Sequence, residues 1–231
     1  FDESEGRWSV RSGAAEFRAR FVVAATGVLS VPYFPEVPGR EDFRGVSCHT
    51  GFWPTRPVDF AGKRVAVIGT GSSGVQIVPA IVDDVASLAV YQRTANWCTP
   101  LNNAPITPDQ QARLRADFES LRETLNTSIH GFHHPAHDRT TFADSEEERR
   151  AFFEKMWNSR GFTKLTSNYT DLLFNHEANA EWCAFLAAKI RGIVKDPAIA
   201  EKLIPTDHRF GEKRPPFVTG YYESFNDPKV S

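Results

Sequence analysis

Residues 64–76 constrain this chain more than any other stretch. Arg64, Val65, Ala66, Val67 and Ile68 run straight into Gly69, Thr70, Gly71, Ser72, Ser73 and Gly74, which open into a helix-like segment from Val75 to Val82. A Gly-x-Gly-x-x-Gly set between a strand and a helix is the context in which that spacing carries meaning. Gly69 permits a tight turn, Gly71 lets a pyrophosphate approach the backbone, and Gly74 lets helix and strand pack closely. The unpaired N–H groups at the helix start then face the anion. The competing reading is an ordinary glycine-rich turn. The next strand, Ser87 to Thr94, bears on which dinucleotide is meant. NAD sites place Asp or Glu about 20 residues further on, and this chain places Arg93 there. A carboxylate accepts from a ribose 2′-OH, whereas a guanidinium pairs with a 2′-phosphate. NADP is therefore expected over NAD, against the alternative of a solvated arginine at a strand end.

Composition bounds what else the chain can be. With 231 residues, 41% of them apolar, it can build one large or two small domains around a real core. A formal charge of −2 offers no field for nucleic acid. No apolar run approaches the roughly 20 residues that cross a bilayer, so neither nucleic acid nor membrane is an expected partner. Cys48, Cys98 and Cys183 are odd in number and lack metal-like spacing, which predicts reduced thiols in a cytoplasmic protein.

Along the chain, Arg7–Arg11 and Glu16–Arg20 flank a Ser12-Gly13 turn and predict a hairpin. The apolar run Phe21–Ala25 follows, and the proline-rich Val31–Gly39 reads as a stiff extended linker. The start at Phe1 inside a hairpin, and a close at Ser231 without a capping element, suggest a piece of a longer polypeptide. Past residue 103 the pattern turns helical. Thr107, Pro108 and Gln110 form a capping signal for one amphipathic helix carrying Leu114, Phe118, Leu121 and Leu125 on a single face. Ser145 with Glu148 caps a second helix that turns Phe152, Phe153 and Met156 inward. A third covers 177–195, ended by Asp196-Pro197, and a short fourth covers Ala198 to Ile204. His130, His133, His134 and His137 share a loop but lack Cys or paired carboxylates at ligand spacing, so no metal is expected.

The most specific string is Phe43, Gly45, His49, Trp53 and Pro54. Read alone it is a loop with one histidine, and a lone histidine is more often a hydrogen-bonding support than a catalyst. In this spacing it resembles the Phe-x-Gly-x-x-x-His-x-x-x-Trp fingerprint of the Baeyer–Villiger monooxygenases, flavoproteins related to the N-oxidising flavin monooxygenases. The N-oxidising relatives usually carry Tyr or Phe where this chain has Trp53. Further along, Ala25-Thr26-Gly27 is similar to the family's return strand, Gly69–Gln76 to its NADP loop, Gln92–Thr94 to its 2′-phosphate clamp, and Phe210–Pro215 with Gly220–Asn226 to its active-site arginine segment. The similarity covers essentially the whole chain.

The resemblance implies an NADPH- and FAD-dependent monooxygenase that inserts one oxygen atom of O2 beside a ketone carbonyl to give an ester or lactone. It implies cofactor binding by Gly69, Thr70, Gly71, Ser72, Ser73, Gly74, Gln76, Arg93, Thr94 and Lys213. Arg214 would stabilise developing negative charge on oxygen, and His49 would couple the linker to domain motion. On its own, Arg214 reads as a surface charge. The family's amino-terminal FAD glycine motif is missing before Phe43, so these 231 residues alone are expected to bind FAD poorly and to turn over no ketone. Two alternatives remain open: an N- or S-oxidising flavin monooxygenase, and a truncated non-catalytic NADP-binding module. The implied architecture is α/β, a doubly wound Rossmann-like NADP domain with an all-helical insertion. Residues 1–29 would be a β remnant of the FAD domain, 30–102 the first part of the NADP domain, 103–204 the insertion, and 205–231 the return segment.

Overall fold

A computed structural model of the chain describes residues 1–27, 29–128, 131–134 and 137–231. They form two compact units, Phe1–Val58 and Asp59–Ser231.

The first unit opens with an antiparallel hairpin of β1 (Trp8–Ser12) and β2 (Ala15–Ala19), in which Trp8 faces Ala19 and Ser12 faces Ala15. Gly13, at φ 60°, supplies the left-handed turn that the Ser12-Gly13 pair predicts. Ala25-Thr26-Gly27, likened above to a return strand, and the apolar run before it form no strand over 21–27, and Phe21 and Val23 are more than four-fifths exposed. Apolar content suits a central strand only when neighbours complete its ladder, and no described residue pairs with this run. Two 3-10 turns follow the linker, Arg40–Asp42 and Thr50–Phe52. No described residue of this unit is fully buried.

The second unit is built on a parallel β-α-β motif of mixed α/β type. Strand β3 (Arg64–Ile68) leads through α1 (Ser72–Ile81) to β4 (Ser87–Tyr91), with Arg64 opposite Ser87 and Ile68 opposite Tyr91. Helix α1 starts three residues earlier than the apolar pattern suggests, because Ser72, Ser73 and Gly74 already have helical geometry behind Gly71. The chain end adds a third parallel element to the sheet: the Leu88 N–H donates to the Lys229 carbonyl at 2.8 Å and the Val90 N–H to Ser231 at 2.7 Å. Val67, Val75, Val78, Ile81, Val85 and Leu88 close the core between α1 and the sheet.

The predicted helix after Thr107 is two helices, α2 (Pro108–Ala116) and α3 (Phe118–Thr127), broken at Asp117. The capping box of Thr107 and Gln110 forms, but no residue of either helix is buried, and Leu114 and Phe118 stand in solvent. Helix α4 (Glu146–Asn158) starts at the Ser145–Glu148 capping box and buries Phe153 and Met156, leaving Phe152 half-buried. After the short α5 (Thr163–Thr166), α6 (His176–Ile193) buries Trp182, Leu186 and Ile190. Asp196 and Pro197 do not stop α6, which has already ended. They open α7 (Pro197–Leu203), where Asp196 accepts from the Ala198 and Ile199 N–H groups. The final helix, α8 (Tyr221–Ser224), packs on α1. Among the described residues no helix is long and apolar enough to cross a membrane.

Candidate functional site

The glycine turn joins β3 to α1, and the backbone itself demands glycine at two of its three glycine positions. Gly69 has φ 101°, a conformation that L side chains rarely adopt. A Cβ at Gly74 would lie 2.1 Å from the Gly69 carbonyl oxygen, so only glycine lets the helix start this close to the strand. Gly71 is the N-cap of α1 and contributes no side-chain cap, which leaves the first-turn N–H groups unclaimed by side chains. Together these features form an anion cradle at the positive end of a helix.

Two hydrogen bonds tie this turn to the end of β4 and the segment after it. The Gly69 N–H donates to the Tyr91 carbonyl at 2.9 Å, and the buried Thr70 hydroxyl donates to the Thr94 carbonyl at 2.9 Å. Arg93 lies between those two tie points. It is exposed, and its guanidinium makes no hydrogen bond or ion pair with a described residue. Neighbouring Gln92 donates from Nε2 to the Lys202 carbonyl at 2.7 Å, which anchors the same segment to α7. Ser72, Ser73 and Gln76 follow on the first turns of α1. Gln76 opens onto a cleft of about 600 Å³ that is also lined by Leu101, Asn102, Asn103, Phe217, Val218 and Thr219.

Lys213 and Arg214 lie in a tight loop that runs back past the end of β4. The Asn96 side chain donates to the Arg214 carbonyl at 3.3 Å, and the Thr99 and Phe217 backbones form a parallel bridge. The Arg214 guanidinium is exposed and unpaired among the described residues. Lys213 Nζ donates to Asp207 at 3.0 Å, and the same carboxylate meets His208 Nδ1 at 2.7 Å. The hydrogen bond from His208, then that from Lys213, hold the Asp207 pKa down to about 2. Asp207 escaped the sequence reading because no spacing rule links residues 207 and 213. The charged run from Asp207 to Arg214 was the available signal.

His49 belongs to the first unit. Its Nδ1 accepts from the Gly51 N–H at 2.9 Å, its ring lies 4.9 Å from that of Phe34, and it caps the 3-10 turn Thr50–Phe52. An accepting Nδ1 puts the proton of the neutral ring on Nε2. This is a supporting role in the fingerprint loop. Of the four loop histidines, His130 lies outside the described residues. His133 and His134 lie tilted against each other at 4.6 Å, while His137 stacks on Phe152 at 4.4 Å. Among the described residues no group of three or more His, Cys, Asp or Glu is placed to hold a metal.

Comparison with known proteins gives these residues a context. Residues 2–179 match the family described as pyridine nucleotide-disulphide oxidoreductase. The chain is 42% identical, over 99% of its length, to 2-oxo-Delta(3)-4,5,5-trimethylcyclopentenylacetyl-CoA monooxygenase of Pseudomonas putida. It is 38% identical over its full length both to cyclopentanone 1,2-monooxygenase of a Comamonas strain and to phenazine N-monooxygenase of Lysobacter antibioticus. A crystal structure of OTEMO in complex with FAD and NADP superposes on the entire chain with a TM-score of 0.94 at 41% identity. The chain spans 42–43% of the length of these relatives and 44% of that crystal structure's chain.

Proposed function

Since this chain belongs to the pyridine nucleotide-disulphide oxidoreductase family and is homologous throughout to Baeyer–Villiger monooxygenases, we propose that it is the NADP(H)-handling part of such an enzyme. The complete protein would use NADPH, FAD and O2 to convert a small-molecule ketone into an ester or lactone. Arg93 carries the reading: a permanent cation without a partner among the described residues, fixed beside a glycine turn whose helix start is open to an anion.

The residues present fit NADP. Gly69, Thr70, Gly71, Ser72, Ser73 and Gly74 would take the pyrophosphate, Arg93 and Thr94 the 2′-phosphate, Lys213 a further phosphate oxygen, and Gln76 would face the cleft beyond. When bound, the nicotinamide supplies reducing equivalents. The part left to this chain is to orient the dinucleotide and to present Arg214, whose guanidinium would stabilise negative charge developing on oxygen. No glycine motif for FAD precedes Phe43, so the flavin contacts are assigned to none of these residues. The division into a β remnant, an NADP domain and a helical insertion belongs to the same proposal. So does a cytoplasmic setting, supported by three unpaired cysteines.

The binding arm of the test titrates the 231-residue chain with NADP+ and NAD+. NADP+ should bind at least tenfold more tightly, and Arg93→Glu should erase that preference. Equal affinity for the two nucleotides in the unmodified chain would overturn the assignment of Arg93.

A second reading, oxidation at nitrogen, is favoured by the equal identity to the cyclopentanone and phenazine enzymes. Trp53 is the feature against it. Protein expressed from the full reading frame should release lactone from cyclopentanone with NADPH consumed. Oxidation confined to amines or ring nitrogens would establish the second reading instead.

A further inference from the structure

Asn179 sits on α6, about 30 residues before the cation loop, and is 3% exposed. Its Nδ2 donates to the Leu172 carbonyl and to the Phe210 carbonyl, each at 2.9 Å, while its Oδ1 accepts from the Phe210 N–H at 3.1 Å and from the Cys183 thiol at 3.2 Å. Reversing the amide would aim N–H groups at the Phe210 N–H, so the orientation is fixed by chemistry. One side chain therefore satisfies both backbone groups of Phe210, as a neighbouring strand would do.

The same residue is gripped from other directions. The Phe210 ring is 1% exposed and meets Trp182 edge-on at 5.9 Å. Gly211 adopts φ 91°, and a Cβ there would lie 2.6 Å from Leu173. Beyond it the loop folds back, with Phe210 bridging to Lys213 and the Arg209 N–H donating to Glu212 at 2.8 Å. Lys213 and Arg214 thus project from a turn whose base is buried against the helical segment and whose tip is open to solvent.

We propose that Asn179 is the positioning residue of the cation loop: by clamping both backbone groups of Phe210, it holds Lys213 and Arg214 where a dinucleotide phosphate and the reacting oxygen can meet them. This rests on the NADP reading above. It gives the helical segment a task in the site, since α6 and the Leu172–Leu173 turn hold Phe210 and Gly211, while Trp97 Nε1 donates to the neighbouring His208 carbonyl at 3.1 Å. Without the amide, the Leu172 and Phe210 carbonyls would be left unpaired and the Phe210 N–H would keep only the weak acceptor Cys183 Sγ at 3.4 Å, which costs far more than losing an exposed bond. Without the clamp the loop should therefore sample open states rather than shift slightly.

The test compares Asn179→Ala with the unmodified chain. Amide exchange across residues 208–214 should speed up at least tenfold in the variant while β3 and β4 stay protected. The NADP+ dissociation constant should rise about tenfold with NAD+ binding reduced to the same degree, because Lys213 is assigned to a phosphate that both nucleotides share and the 2′-phosphate is left to Arg93 and Thr94. In a Lys213→Ala background the Asn179 substitution should have no further effect on either nucleotide, the non-additivity expected of residues that act as a unit. Unchanged exchange, or additive losses in the double variant, would overturn the proposal. Asn179→Ser, which can still bridge one pair, should give an intermediate exchange rate. If neither variant folds, Asn179 is a requirement of the whole unit and the positioning role is refuted. A chain that binds NADP+ no better than NAD+ would fail the reading of Arg93 instead, while the exchange result would still decide whether Asn179 holds the loop.

Discussion

At the scale of single residues, Gly74 and Gly71 separate two demands that one motif superimposes. An added methyl at Gly74 would collide with the Gly69 carbonyl, whereas at Gly71 it would meet nothing within 4 Å, at an ordinary φ of −75°. Gly74→Ala should therefore lose about 1–3 kcal/mol of stability through overpacking, visible as a lower melting temperature. Gly71→Ala should melt within about 0.5 kcal/mol of the parent and still bind NADP+ more weakly, since its methyl would stand where the phosphate approaches the N–H groups. A large loss of stability at Gly71 would show that the turn, and no ligand, requires that glycine.

Lys164 is a residue whose character only the fold reveals. It is fully buried, its Nζ donates to the Ser159 carbonyl, and desolvation lowers its pKa to about 8. For a base, burial lowers the folded-state pKa below the unfolded one, so between roughly pH 8 and 10.4 the unfolded chain binds more protons. Stability contributed by this group should consequently rise as pH increases through that window, and its penalty should be fully present below pH 8. Lys164→Met should flatten this rise and stabilise the chain at pH 7 by about 1–2 kcal/mol. The Ser159 carbonyl would not be orphaned, because Asn102 also donates to it at 3.0 Å. Denaturant melts of both proteins at pH 7 and pH 10 provide the check. Nothing in the sequence marks this lysine, because charge alone predicts exposure.

At the scale of elements, what could be read in advance was local chemistry, and what could not was burial. The capping boxes at Thr107 and Ser145 and the turn at Gly13 formed because each needs only residues within a few positions. The return strand implied at Ala25-Thr26-Gly27 and the continuous helix through Asp117 depend on partners that periodicity does not specify. Asp196-Pro197 reads equally as a stop or a start, because proline ends a helix from inside but also opens one from its first turn. The glycine turn was legible as a spacing, while the Asp207–Lys213 pair and the Asn179 clamp join residues that only tertiary packing brings together. The two capping boxes should also differ in consequence. Ser145→Ala should cost about 1 kcal/mol, because α4 buries Phe153 and Met156 and its fraying is felt by the core. Thr107→Ala should leave the global melt nearly unchanged, because α2 buries nothing. Matching shifts in the two melts would contradict that difference in burial.

At the scale of the whole molecule, burial among the described residues is confined to one of the two units. Every described residue that is apolar and buried lies between Val67 and Val230, and those of 1–58 include none. A segment without a core cannot offset the entropy of ordering its backbone by burial of its own. Its hairpin is of the two-stranded kind that is marginal in water. Limited proteolysis should accordingly cut first within residues 1–58 and leave a resistant product that begins near Asp59. The glycine turn, Arg93, the cation loop and the Asn179 clamp all lie within that product. A chain of residues 59–231 should then keep the NADP+ affinity of the parent within about threefold, well under the tenfold that 1.4 kcal/mol would produce. The fingerprint loop with His49 and Trp53 would have been removed. A tenfold or greater loss on removing 1–58 would mean that the first unit contributes to the dinucleotide site, and His49, already fixed as a cap on its own turn, would be the first side chain to substitute in the intact protein.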